Sequence, residues 1–294
     1  MRITYKLFFY CVILLLLGSG AYGLYTYNTE SLNFRTGNDK IAYTRIFDKG
    51  CYVQEVNHKN APINMSGSSY LNLDHLQALF KSKGISPEKV YIFDVLPTTH
   101  YMVNNRPIEW YGYSVKNGEL RSLEIHKNNI FSFLYKKYIL WLNDPLENMT
   151  VDQLVSEEDT IKSLGWNYVK PLPKEWVEDW SFLEDWLPIF QKIPKDGWAH
   201  FHCLRGRGRT TSAMAYYDIF RNHDKMTVED IIKRQYCIGG EYLDDITVWK
   251  SSTWPQERLV LRRDILYYFY DYMNDPQGYK KTPWTKWLKE HKKT

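Results

Sequence analysis

Apolar residues recur along this chain in two periods, about 3.6 and about 2, and their alternation predicts a mixed α/β domain. Leu71, Leu73, Leu76, Leu79 and Phe80 lie at helical spacing, so a helix is expected over 71–83, with Asn72 and Asp74 near its start. The compact apolar run KVYIFDV at 89–95 suits a buried strand. From 106 to about 146, Tyr, Trp, Val and Ile interleave with polar residues. There a Lys116-Asn117-Gly118 turn joins Tyr111–Val115 to Leu120–Ile125, and the section is expected to be small and mostly β. A helix over Val151–Leu164 with Thr150 as N-cap and a strand around Trp166–Val169 should follow. Past a proline-broken stretch come a helix over Trp180–Ile193, a turn at 194–197, a strand at Trp198–His202 and a glycine-bearing loop. Helices at Ser212–Asn222, Val228–Gln235 and Pro255–Met273 complete the pattern, and no internal repeat interrupts it.

The two ends read differently. Arg2 and Lys6 precede an uncharged apolar run of 11 residues, Leu7–Leu17, and small residues follow from Gly18 to Gly23. Eleven residues are too few to span a bilayer and suit a signal peptide (1–23) cleaved near Ala21–Gly23; the full 17-residue stretch leaves an uncleaved anchor open. Residues 24–294 would then form one exported domain, periplasmic or secreted, without stable membrane contact. The last fifteen residues (KKTPWTKWLKEHKKT) are basic and are expected to be a solvated tail.

Composition narrows the function classes. The formal charge of +4 falls by two once Arg2 and Lys6 are removed, too little for a field that recruits nucleic acid. Outside the leader the cysteines are Cys51, Cys203 and Cys237, so this is no disulfide-rich scaffold. A Cys51–Cys237 bridge is permissible, and two buried apolar thiols are equally compatible with the sequence.

The loop after Trp198–His202 carries the chemistry. Cys203 and Arg209 are separated by five residues, Leu204, Arg205, Gly206, Arg207 and Gly208, in a strand–loop–helix setting. Such a loop wraps a tetrahedral anion with its amides, and the glycines permit backbone geometry that a Cβ would hinder. Cys203 at its base would be the nucleophile, since loop dipoles favour the thiolate. Arg209 would clamp two phosphate oxygens bidentately, and Thr210 would donate a hydrogen bond to the sulfur. The resulting reaction is in-line displacement through a cysteinyl phosphate, with no metal and no cofactor. A rhodanese-like sulfur carrier also uses a cysteine loop, but the full pattern favours phosphate.

His202-Cys203-x-x-Gly206-x-Gly208-Arg209-Thr210-Thr211 resembles the signature of the protein tyrosine phosphatase superfamily. With Trp198-x-His200-Phe201-His202 before it, the segment is similar specifically to bacterial tyrosine-phosphatase-like phytases, which dephosphorylate myo-inositol polyphosphates. Asn33-Phe34-Arg35-Thr36, Met65-Ser66-Gly67-Ser68, His100 with Asn104 and Trp110-Tyr111, and Arg234-Gln235 with Gly239-Gly240 match further family motifs in order. The resemblance implies an α/β fold with a central twisted sheet flanked by helices and a small β-rich subdomain. It also implies that Arg35 reaches substrate phosphate, that the 203–209 loop and His202 bind substrate, and that the partner is a small polyphosphorylated molecule.

The chain departs from the family in two places. The general acid, normally aspartate followed by histidine, aligns with Glu175-Trp176, 28 residues before Cys203. Glu175 is the candidate acid and Asp179, four residues later, its rival. In Asp94-Val95-Leu96-Pro97-Thr98-Thr99-His100, Leu96 and Thr98 stand where the family carries Arg and Glu. Besides a phytase-like activity, a phosphatase for phosphotyrosine or other phosphoesters and a binding relative without turnover remain readings of the sequence.

Overall fold

Alternation along the strand Trp198–His202 sorts the molecule into two faces. Ala199 and Phe201 enter one apolar cluster, while Trp198 enters the other. The computed structural model describes residues 33–39, 42, 51, 61–96, 99–122, 146, 148–169, 176–248 and 254–292. Their strands are β1 (Arg35–Thr36), β2 (Met65–Ser68), β3 (Val90–Asp94), β4 (Tyr101–Val103), β5 (Arg106–Pro107), β6 (Tyr113–Lys116), β7 (Glu119–Ser122), β8 (Val155–Ser156), β9 (Asn167–Val169) and β10 (Trp198–His202). The α-helices are α1 (Leu73–Ser82), α2 (Glu157–Ser163), α3 (Phe182–Lys192), α4 (Gly208–Asn222), α5 (Val228–Cys237), α6 (Gln256–Asn274) and α7 (Trp284–His291).

The main sheet has the order β1-β2-β10-β3-β9. All neighbours are parallel except the edge strand β1, and β10 lies at the centre with Phe201 opposite both Gly67 and Phe93. On one face, Leu73, Leu76 and Phe80 of α1 and Ile161 of α2 pack on Val90, Ile92 and Trp198. On the other face, α3 to α7 pack on Phe93 and Phe201 through residues such as Phe190, Met214, Ile231, Phe269 and Trp284. Asn72 caps α1 by accepting from the His75 amide (3.2 Å), an interaction worth about 1 kcal/mol. Of the small β section expected over 106–146, residues 123–145 lie outside the described residues. The described part holds β5, which joins β4 and β8 from outside the section in the β5-β4-β8 sheet, and the β6–β7 hairpin. That hairpin turns at Asn117 and Gly118, both with positive φ (54° and 77°), as a tight two-residue turn requires.

Three expectations change. The helix expected from Val151 begins only at Glu157: Thr150 caps a short 3₁₀ turn, and Ser156 caps the helix by accepting from the Asp159 amide. Pairing of Val155–Ser156 with Tyr101–Met102 draws the intervening residues into a strand. The helix expected from Ser212 begins at Gly208, so its first turn belongs to the glycine loop. The basic tail is not solvated along its length but forms α7, with Trp284 and Trp287 buried. Trp284 Nε1 donates to the Trp180 carbonyl (2.7 Å) and Trp287 Nε1 to Asp275 Oδ2 (2.6 Å). Their three-residue spacing puts both indoles on one side of the helix. The leader (1–23) lies outside the described residues, among which no helix is long and apolar enough to cross a membrane.

Cys51 and Cys237 are joined by a disulfide across 186 residues of sequence, which leaves Cys203 as the free cysteine among the described residues. The bridge ties the end of α5 to the chain's early part. Replacing both cysteines by serine should lower unfolding stability by about 2–4 kcal/mol, read as a shift in the urea midpoint of the oxidised protein.

Candidate active site

At the carboxyl end of β10 the chain passes from His202 into Cys203, and the next four residues curl over to open α4. Cys203 is almost buried, and its amide donates to the Ser68 carbonyl of β2 (3.4 Å). The unsatisfied amides of the first turn of α4 face the same loop, so its mouth carries the positive end of a 15-residue helix. Gly206 has φ +64°, and a Cβ there would lie 2.4 Å from the Ser69 nitrogen and 2.5 Å from the Ser68 carbonyl carbon. Any side chain would push the loop off β2.

The charged groups of the loop face outward. Arg205 and Arg207 are exposed and Arg209 is half-buried. Among the described residues none of these guanidiniums meets a carboxylate, although Glu241 stands close by and pairs instead with Arg262 (3.1 Å). Leu204 is also exposed, at 45%. A helix N-terminus with guanidiniums beside it is a setting that can meet an anion.

Arg35, which the resemblance implies reaches substrate phosphate, lies directly beneath the loop. Its guanidinium is buried and donates to the carbonyls of Gly206 (2.6 Å) and Asn33 (3.1 Å) and to Thr211 Oγ1 (3.0 Å). It braces the loop from beneath and has those donors committed to the protein. Burial pulls its pKa down to about 10, against the pull of Cys203, Glu241 and Asp39. Thr210 differs from expectation: its hydroxyl donates to the Ser68 carbonyl (3.2 Å) and not to the sulfur. Thr211 Oγ1 donates to the Arg207 carbonyl (3.0 Å) and accepts from Arg35 and from the Glu241 amide (3.1 Å). The doubled threonine therefore stitches the loop to its supports.

His202 points away from the loop mouth, toward the α1/α2 face, as the alternation along β10 requires. Its Nε2 is 3.0 Å from Glu157 Oε1 and 4.0 Å from Asp94 Oδ1, all three residues being buried. The predicted contact with substrate is not made by this ring, which is held among buried carboxylates on the opposite face of the sheet. Asp94 accepts from the Leu96 amide (2.9 Å) and the Tyr168 hydroxyl (3.1 Å), and His100 Nδ1 meets Glu109 at 3.1 Å. Burial and Glu157 push Asp94 up to about 6, opposed by His202 and His100. Burial disfavours the charged form of His202, yet Glu157 and Asp94 prevail and raise its pKa. Asp94, Glu157 and His202 are also the described residues grouped tightly enough to ligate a cation, with ligand atoms within 4.8 Å of one another. Their charges are already met by one another, by Tyr168 and by a backbone amide.

The two acid candidates fare differently. Glu175 lies outside the described residues; its neighbour Trp176 is buried, with its ring against Phe182, Tyr216 and Trp254. Asp179 caps the Ser181 amide (3.0 Å), and that bond lowers its pKa, the reverse of what a proton donor needs. It lines a surface groove of about 420 Å³ with Thr285, Leu288, Lys289 and Lys292, and no residue of the 203–209 loop borders that groove. Sequence reading missed Tyr70, half-buried near Cys203, Arg205 and Glu109, whose hydroxyl pKa is raised by burial first and then by Glu109. It also missed Ser68 and Glu157, whose importance arises only from contacts distant in sequence.

The family model PTPlike_phytase, described as "Inositol hexakisphosphate", matches residues 142–221. A structure of the PTP-like myo-inositol phosphatase from Mitsuokella multacida, in complex with myo-inositol-(1,3,4,5)-tetrakisphosphate, is similar with a TM-score of 0.61 and 26% identity over 90% of this chain. The tandemly repeated protein tyrosine phosphatase like phytase from the same organism gives 0.58 and 27% over 89%. This chain spans 46% of the length of each of those two chains. A PTP-like phytase from Bdellovibrio bacteriovorus shares the fold, with a TM-score of 0.56 at 21% identity, over 88% of this chain and 90% of that one. The uncharacterized protein AvrBs1.1 of Xanthomonas campestris pv. campestris is 33% identical over 103 residues, 33% of this chain and 94% of that protein.

The buried charge cluster has a pH consequence. Burial opposes the charged form of His100, but Glu109, Glu157 and Asp94 outweigh it and raise its pKa from 6.5 to about 9. A raised histidine contributes stability that is full below its unfolded pKa and is lost as pH rises through the folded one. Stability should therefore fall between about pH 6.5 and pH 9, by on the order of 3 kcal/mol. Glu109→Gln should flatten that slope in urea unfolding measured across the window.

Proposed function

The chain belongs to the family of tyrosine-phosphatase-like phytases, and from that premise we propose that it is a phosphomonoester hydrolase acting on myo-inositol polyphosphates. One observation carries the reading: Cys203 lies buried where the central strand passes into the glycine loop, directly before the N-terminus of α4, and Arg205, Arg207 and Arg209 belong to that same loop and helix start. In the proposed reaction the Cys203 thiolate attacks phosphorus, the P–O ester bond breaks and Glu175 gives its proton to the leaving alkoxide. Water then attacks the cysteinyl phosphate, its proton passes to Glu175, and inorganic phosphate leaves as the P–S bond breaks. Arg209 and the loop amides meet the charge that spreads over the equatorial oxygens, so the chemistry needs no metal. Arg205, Arg207 and the backbone of Leu204, Gly206 and Gly208 would hold the substrate, with the exposed arginines favouring more than one phosphate. The tetrakisphosphate held by the Mitsuokella protein supports a substrate of that class.

A binding relative without turnover is the second reading. It is favoured by Asp179, which is committed to a cap and leaves Glu175 as the acid candidate of its segment. We further propose export to an oxidising compartment, which the apolar leader and the Cys51–Cys237 bridge both favour.

Purified protein should release phosphate from inositol hexakisphosphate in excess EDTA. Cys203→Ser should abolish release, Arg209→Lys should lower kcat by about 100-fold or more, and Glu175→Gln by about 100-fold. Hexakisphosphate binding with no release by the wild type would establish the binding relative instead.

A further inference from the structure

His200 is fully buried in the central strand, two residues before the loop, and takes no part in the proposed chemistry. Its Nδ1 is 2.8 Å from Ser66 Oγ and its Nε2 is 3.2 Å from Ser68 Oγ. Directions along this chain of contacts are forced. A carbonyl only accepts, so Ser68 must use its single hydroxyl proton on the Ser69 carbonyl (2.8 Å). Ser68 Oγ can then only accept from His200, which puts a proton on Nε2. At the other end, Trp198 Nε1 only donates, and it donates to Ser66 Oγ (2.8 Å). Ser66 retains its own proton, for which His200 Nδ1 is the acceptor within reach. A doubly protonated ring would leave the Ser66 proton buried without an acceptor, at a cost of about 1–3 kcal/mol.

We propose that His200 is a positioning residue of the phosphatase loop, held as the neutral imidazole protonated on Nε2. It forms the centre of a one-way hydrogen-bond chain, Trp198 to Ser66 to His200 to Ser68 to the Ser69 carbonyl. The end of that chain is the platform of the site. The Ser68 carbonyl receives the Cys203 amide and the Thr210 hydroxyl, and the Ser68–Ser69 peptide fills the place of a side chain on residue 206. Fixing Ser68 on both sides fixes the height of Cys203 and the turn at Gly206. Groups facing the ring reinforce the neutral form. His202 lies on the same strand and His75 on α1, Arg35 extends from β1, and Phe34 stacks at 6.2 Å. Burial comes first in holding the ring uncharged, and the electrostatic effect of His202, His75 and Arg35 adds to it.

The tautomer stands on geometry alone, while its consequence rests on the phosphatase reading, so the two are tested separately. In ¹⁵N-histidine-labelled protein, His200 should show an unprotonated-type Nδ1 and a protonated-type Nε2 resonance, unchanged as pH falls through the range in which an ordinary histidine titrates. A proton on Nδ1, or an imidazolium at neutral pH, overturns the proposal. Ser68→Ala should retain the fold by circular dichroism, release the tautomer preference, and lower kcat about tenfold or more with little change in KM. If that variant does not fold, Ser66→Ala removes the opposite end of the chain and should give the same pair of effects. A lost tautomer preference with unchanged kcat overturns the positioning role. Should the wild type release no phosphate, the phosphatase reading fails by itself. The positioning claim is then read in inorganic phosphate binding, which Ser68→Ala should weaken about tenfold and which, if unchanged, overturns it.

Discussion

The Ser68–Ser69 peptide occupies the space that a side chain on residue 206 would need, and the site is arranged around that contact. Because β2 and β10 are parallel neighbours with His202 opposite Ser68, the end of one strand lies beside the start of the loop that leaves the other. Hydrogen bonds from the Cys203 amide, Thr210 and Arg35 then lock the loop onto that edge and onto β1. A tight turn of glycines has little stiffness of its own. Here its shape is borrowed from a sheet that is buried on both faces.

Charge is organised along the same line. The α1/α2 face of the sheet carries a closed set of His202, Glu157, Asp94 and Tyr168, each with a partner within the set. On the loop side the guanidiniums of Arg205, Arg207 and Arg209 have no carboxylate partner among the described residues. Among the described residues, then, the charge buried behind the loop is neutralised, while the guanidiniums at its mouth meet no carboxylate. Between the two sides sits Cys203, continuous in chain with His202 behind it and with the helix terminus in front.

The elements were legible wherever local patterning and tertiary demand agreed. The helix over Leu73–Ser82 and the strands at Val90–Asp94 and Trp198–His202 appear within a residue or two of expectation, since each buries a face that its own periodicity defines. The pattern was misleading at Val151–Leu164, where pairing with Tyr101–Met102 turned part of a helical period into a strand. It was silent at the C-terminus, because the Lys residues around Trp284 and Trp287 conceal an apolar side three residues in period.

The signature loop, its cysteine and arginine, and the strand and helix that flank it can be read from the chain alone, because they lie close together along it and their spacing limits the geometry. The surroundings of Arg35, His202, Thr210 and Asp179 came instead from contacts made in the fold. Arg35 became a brace, His202 a buried ion-pair member, Thr210 a tether and Asp179 a cap. Each can serve either substrate or scaffold, and the choice depends on which partner the fold brings within hydrogen-bond reach. The contacts that settled three of the four come from residues 45 to 171 positions away, on another strand, helix or loop, and a linear reading has no access to those distances.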